Sequence, residues 1–109
     1  MIDWSRVNQL RGEIGEESFD EVVVMFQQEA DEAIAQLDGV LTAKALETAL
    51  HFLKGLALNL GFSALASLCQ DGERRTGGGS TDVALDEVRD IYLASKAAFQ
   101  SGQDQPLLA

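Results

Sequence analysis

The sequence predicts an all-α protein: an antiparallel up-down-up-down four-helix bundle with a short N-terminal capping helix. Three observations lead there. Apolar residues recur at steps of three and four along four long segments, as the buried face of an amphipathic helix requires. The only proline, Pro106, stands near the end of the sequence, so nothing in the preceding segments forbids long helices. No stretch alternates apolar and polar residues between turn signals in the manner of a strand.

Each element has its own justification. A short helix is expected from Asp3 or Ser5 to about Arg11, with Trp4, Val7 and Leu10 placed to close one end of the core. The first long helix follows Glu16. Phe19, Val22, Val23, Phe26, Ala30, Ala33, Ile34 and Leu37 mark its inner face, Gln27, Gln28, Asp31, Glu32 and Gln36 lie mainly opposite, and Gly39 is its expected stop. Thr42 is suited to cap the second, which carries Leu46, Ala49, Leu50, Leu53, Ala57 and Leu60 and ends at Gly61. Ser63 is suited to cap the third, with Leu65, Leu68, Cys69 and Thr76 inward. Gly77-Gly78-Gly79-Ser80 then reads as a flexible loop. It lacks the Gly-Lys-Ser/Thr ending of a phosphate-binding loop. A fourth helix is expected from Thr81 or Asp82, with Val83 or Leu85, Val88, Ile91, Tyr92, Ser95 and Phe99 inward. Residues 1–101 form one domain in this reading, and 102–109 a flexible tail.

Composition narrows the function. The chain has 109 residues, 46% of them apolar, and 18 acidic against 8 basic side chains give a net charge of −10. That length supports one core, and that apolar content disfavours disorder. The acidity argues against nucleic acid, whose affinity depends on Lys and Arg displacing counterions, and against anionic membranes. No apolar run approaches the roughly 18 to 20 residues of a membrane span. A single cysteine, Cys69, and a start without basic and apolar signal regions point to the cytoplasm. One histidine and one cysteine cannot build a zinc cage, and paired Glu-x-x-His units for a di-metal bundle are missing. An acyl carrier would need a serine in an Asp-Ser-Leu context, which is absent.

The single histidine falls on the second long helix. With Leu46 at zero on a wheel of about 100° per residue, Leu50, Leu53, Ala57 and Leu60 fall within about 40° of it. His51 lies about 140° away, Gly55 about 180°, Leu58 about 120° and Lys54 about 80°. His51 therefore points largely to water, with Lys54 and Gly55 beside it one turn on. Glycine inside a helix costs about 1 kcal/mol relative to alanine, so its presence there asks for a reason. A nucleophile toward phosphorus supplies one. Free imidazole titrates near 6.5, so at neutral pH a ring nitrogen offers its lone pair. Lys54 can lie against phosphoryl oxygens, and Gly55 clears the surface where a donor or acceptor must approach.

The run His51-Phe52-Leu53-Lys54-Gly55-Leu56-Ala57, with Gly61 six residues past Gly55, resembles the motif of the histidine-containing phosphotransfer (HPt) domain family, His-x-Leu-Lys-Gly-x-Ala followed by a glycine. The clear match spans Leu46 to about Glu73, and helix order and length agree over nearly the whole chain. The resemblance implies that His51 accepts a phosphoryl group from a receiver-domain aspartate and passes it to another, that Lys54 assists electrostatically and that Gly55 clears the docking site. It implies receiver domains of response regulators as partners, with a hybrid histidine kinase as a further candidate. It also implies no cofactor on this chain, since the receiver brings Mg2+, and a monomeric carrier without kinase activity of its own. Two positions depart from the family pattern. Leu56 stands where a small Ser or Thr is common, and Gly72-Glu73 where Leu-Glu is common. Gly72 either lets two helices approach closely or simply weakens the third helix.

Leu58 and Phe62 extend the His51 side and read as an apolar docking patch, although Phe62 has the alternative of folding back over the helix end. From Lys44 to Phe62 there are two lysines and one glutamate, a local +1 suited to an acidic receiver pocket. Glu47, four residues before His51, is placed to orient the ring, and Cys69 reads as core. The competing reading is a helical adaptor that binds a signalling partner without being phosphorylated. It leaves the register of His51, Lys54 and Gly55 without a reason.

Overall fold

A computed structural model describes residues 2–39 and 42–104. Five α-helices succeed one another, α1 (Trp4–Ile14), α2 (Glu16–Gln36), α3 (Ala43–Leu60), α4 (Ser63–Gly77) and α5 (Leu85–Asp104), with a 3-10 turn at Leu37–Gly39 after α2. Among the described residues there is no strand, only an isolated bridge between Ile2 and Phe62.

Local chemistry accounts for most of the ends. Asp3 Oδ1 accepts the amide of Arg6 at 3.2 Å and starts α1. Thr42 caps α3 as expected, its Oγ1 accepting from Ala45 N at 3.1 Å. Gly61 ends α3 in a left-handed conformation, φ +76°, and a Cβ there would lie 2.6 Å from the Asp3 carbonyl oxygen. Both facts demand glycine. The Asp3 amide donates to the Gly61 carbonyl at 2.6 Å, so the start of α1 is fastened to the α3–α4 corner.

Three expected boundaries move. Phe62, not Ser63, is the residue before α4; its side chain is drawn into the core and its carbonyl accepts the first helical bond, from Ala66 N at 2.9 Å. The last helix starts at Leu85 rather than Thr81 or Asp82. Residues 81–84 instead make short-range turns, with Ser80 Oγ accepting from Asp82 N at 3.0 Å, and Val83 lies against Gly72. At the other end α5 continues to Asp104, so Gly102 is helical and carries the Trp4 ring against its backbone. The flexible tail expected over 102–109 is therefore helical as far as 104, and 105–109 lie outside the described residues.

The core follows the wheel. Leu46, Leu50, Leu53, Ala57 and Leu60 of α3 are buried, joined by Leu56, which stands about 80° from Leu46 on the same wheel. Phe62, Tyr92 and Phe99 form an aromatic centre, and Trp4 stacks on Phe99 with centroids 5.7 Å apart, closing the end of the bundle as expected. The Tyr92 hydroxyl donates to the Asp31 carboxylate, tying α5 to α2. Burial, then that hydrogen bond and the Asp31 charge, push the Tyr92 hydroxyl's pKa up.

The contact that matters most for the site is between α3 and α4. They run antiparallel, with Lys54 beside Gln70, Leu50 against Gly72 and Glu47 over Gly77. Gly72 is buried, and a Cβ there would stand 2.8 Å from Leu50 Cδ1. Of the two readings of Gly72, close approach is the one observed.

Candidate functional site

His51 leaves the outer face of α3 with 72% of its side chain exposed. One side of the ring is held. Nδ1 lies 3.2 Å from Oε2 of Glu73 on α4, while Oε1 of the same carboxylate is 3.0 Å from Lys54 Nζ. Lys54 also donates to Gln70 Oε1 at 2.9 Å. Glu73 thus stands between imidazole and ammonium, with only 15% of its side chain exposed. It reaches them because Gly72, its neighbour in sequence, allows α4 to lie directly on Leu50.

Electrostatics fix the state of this group. Burial on its own would raise the Glu73 pKa, but the hydrogen bonds and charges of Lys54 and His51 outweigh it and hold the carboxyl below its ordinary value of 4.5. At neutral pH Glu73 is a carboxylate, which accepts hydrogen bonds and donates none. The proton of a neutral His51 ring then belongs on Nδ1, and the lone pair on Nε2, the nitrogen turned away from Glu73.

The expected site residues separate on inspection. His51, Lys54 and Gly55 share one surface. Around Gly55 a Cβ would meet nothing within 4 Å, so no packing inside the chain requires glycine there. Its carbonyl accepts from Asn59 Nδ2 at 3.1 Å. Leu58 is 55% exposed, as its place on the wheel predicts. Phe62 is not on this surface: it is fully buried, with ring centroids 5.7 Å from Phe99 and 6.4 Å from Tyr92. The left-handed turn at Gly61 ends the helical progression, so the wheel that places Leu58 outside does not extend to residue 62. The alternative noted from sequence, that Phe62 folds back, is the one observed.

Sequence reasoning also missed partners. Glu47 lines an open cavity of about 320 Å³ with Thr48, His51 and Glu73, but the carboxylate at the ring is Glu73's. Glu73 appears in the sequence only as half of an unusual Gly-Glu pair, 22 residues from His51, and no helical spacing joins the two. Phe52, 50% exposed beside His51, adds an apolar surface that the inward stripe of α3 did not flag. Cys69 is buried, and burial first, then the Glu73 charge, pushes its thiol up to about 12, so it is an inert core group. Among the described residues no cluster of His, Cys, Asp and Glu could hold a metal ion, and no helix is long and apolar enough to cross a membrane.

The fold and this surface together define a class: a helical bundle that offers one imidazole to solvent while a carboxylate of the neighbouring helix, itself paired with a lysine, holds it from behind. Comparison with protein families makes the class specific. The model of the Hpt domain matches residues 21–98, from the first turns of α2 through most of α5, and the chain belongs to the Hpt domain family. Neither curated proteins nor solved structures give a match.

Proposed function

We propose that this protein is a cytoplasmic phosphorelay carrier, a monomer that takes a phosphoryl group on His51 from the phospho-aspartate of one receiver domain and delivers it to the aspartate of another. Its four longer helices form an antiparallel up-down-up-down bundle with α1 across one end. The observation that carries the functional reading is the His51–Glu73 contact. With Nδ1 protonated against a carboxylate, Nε2 offers its lone pair to phosphorus from the exposed side.

In the forward step the Nε2–P bond forms as the bond between phosphorus and the aspartyl oxygen breaks, and the aspartate leaves as a carboxylate. The ring keeps its Nδ1 proton and gains positive charge, which Glu73 at 3.2 Å stabilises. Lys54 stands beside the phosphoryl oxygens and offsets part of their charge. The reverse step returns the group to an aspartate. Mg2+ comes with the receiver and neutralises charge on its side of the transfer. Gly55 leaves room for the receiver's loops, and Leu58 with Phe52 forms the apolar contact around the reacting atoms. The chain is a carrier rather than a kinase, and a hybrid histidine kinase is a further source of phosphoryl groups through its own receiver.

The test is transfer itself. Incubation with phosphorylated receiver domains and Mg2+ is expected to place acid-labile, alkali-stable label on the wild type and none on His51→Gln. Equal labelling of the variant, or no labelling of the wild type by any receiver that functions with it in the cell, overturns the reading in favour of an unphosphorylated adaptor.

A further inference from the structure

On the far side of α4 from Glu73 lies a second surface. Between α4 and α5 an open groove of about 650 Å³ runs along the two helices. Ala64, Leu68 and Ile91 supply its apolar floor, and Asp71, Glu87 and Asp90 stand along it as carboxylates. The three acids are not equivalent. Asp71 is ion-paired with Arg74 and with Arg75, whose Nε lies 3.2 Å away. Among the described residues Glu87 and Asp90 have no ion-pair partner, and both are exposed. An apolar strip bordered by two uncompensated negative charges is complementary to a helix with an apolar stripe flanked by Lys or Arg.

We propose that this groove is a second docking site, which binds a basic amphipathic helix of a partner protein through apolar anchors on Leu68 and Ile91 and ion pairs to Glu87 and Asp90. The groove is independent of the phosphotransfer surface. Positions 70 and 73 of α4 face Lys54 and His51, whereas 68 and 71 face α5. A partner held here leaves the imidazole free, so the protein can be tethered to one component while it exchanges phosphoryl groups with another.

The probe is a fluorescein-labelled synthetic helix with leucines at helical spacing and lysines on either side, titrated against the full chain by anisotropy. A peptide with the same leucines and glutamates in place of the lysines is the comparison. The basic peptide is expected to bind wild type and His51→Gln alike. Glu87→Lys/Asp90→Lys should weaken it by about tenfold or more, as the loss of two close charge pairs in an interface implies. Glu17→Lys/Glu21→Lys, the same change of net charge on an exposed stretch of α2, should weaken it less than about twofold. Equal weakening by both double variants would reduce the effect to bulk acidity and overturn the site. So would comparable binding of the acidic peptide, the absence of saturable binding, or loss of binding in His51→Gln.

Discussion

Gly55 and Gly72 are both glycines inside helices, and their surroundings assign them opposite duties. Gly72 has the end of the Leu50 side chain pressed against it, so a side chain there must displace Leu50; Gly55 faces open space. Gly55→Ala is therefore expected to stabilise the free protein by up to about 1 kcal/mol in urea unfolding. Gly55→Arg should leave helical circular dichroism unchanged yet slow phosphotransfer, because the obstruction arises only when a receiver approaches. At Glu73 the expected outcome depends on pH. The folded carboxyl binds its proton more weakly than the unfolded chain does, so its contribution to stability is complete above its ordinary value of 4.5 and is lost as pH falls through the lower folded value. Urea unfolding of wild type and Glu73→Ala should differ at neutral pH and converge as the solution is acidified below 4.5 and through the lower folded value. The same variant should lose the bias of the His51 ring toward the Nδ1–H tautomer, read from ring 15N shifts. A carboxylate serving only as packing would leave that bias in place.

At the scale of elements, the α3–α4 pair decides whether the site exists. Gly72→Val is expected to destabilise the fold by about 1–3 kcal/mol, as overpacking of a closed helix contact does. It should also separate Glu73 from His51, so tautomer bias and stability fall together. The α2–α5 tie behaves differently. Tyr92 keeps its proton more tightly when folded, so stability is unaffected below its ordinary value of 10 and falls as pH rises beyond it. Tyr92→Phe should remove that alkaline loss. Phe62 shows how a corner turns an apparent surface residue into a core one. Phe62→Ala should cost about 3–5 kcal/mol, whereas Leu58→Ala should alter receiver affinity with little effect on unfolding.

For the molecule as a whole, the charge of −10 is distributed rather than uniform. The ion pairs among the described residues are largely exposed and individually weak. Self-repulsion then dominates, and raising salt from about 10 to about 300 mM should raise the melting temperature by screening it. Histidine, lysine and glycine occupy the least acidic long helix, while uncompensated carboxylates line the groove behind α4. The two faces of this small bundle therefore differ in charge.

The helices, the inner stripe of α3 and the joint exposure of His51, Gly55 and Leu58 were legible in the sequence, because each depends on spacing within one helix of known period. Thr42 and Gly61 were legible for the same local reason. What tertiary structure alone decided is which carboxylate stands at the imidazole, where Phe62 points and why Gly72 is glycine. All three depend on how closely α4 lies on α3 and where the chain turns between them. Helical spacing within α3 suffices to present a histidine to solvent. Packing across the α3–α4 contact determined which of its nitrogens meets a carboxylate and which is left open to solvent.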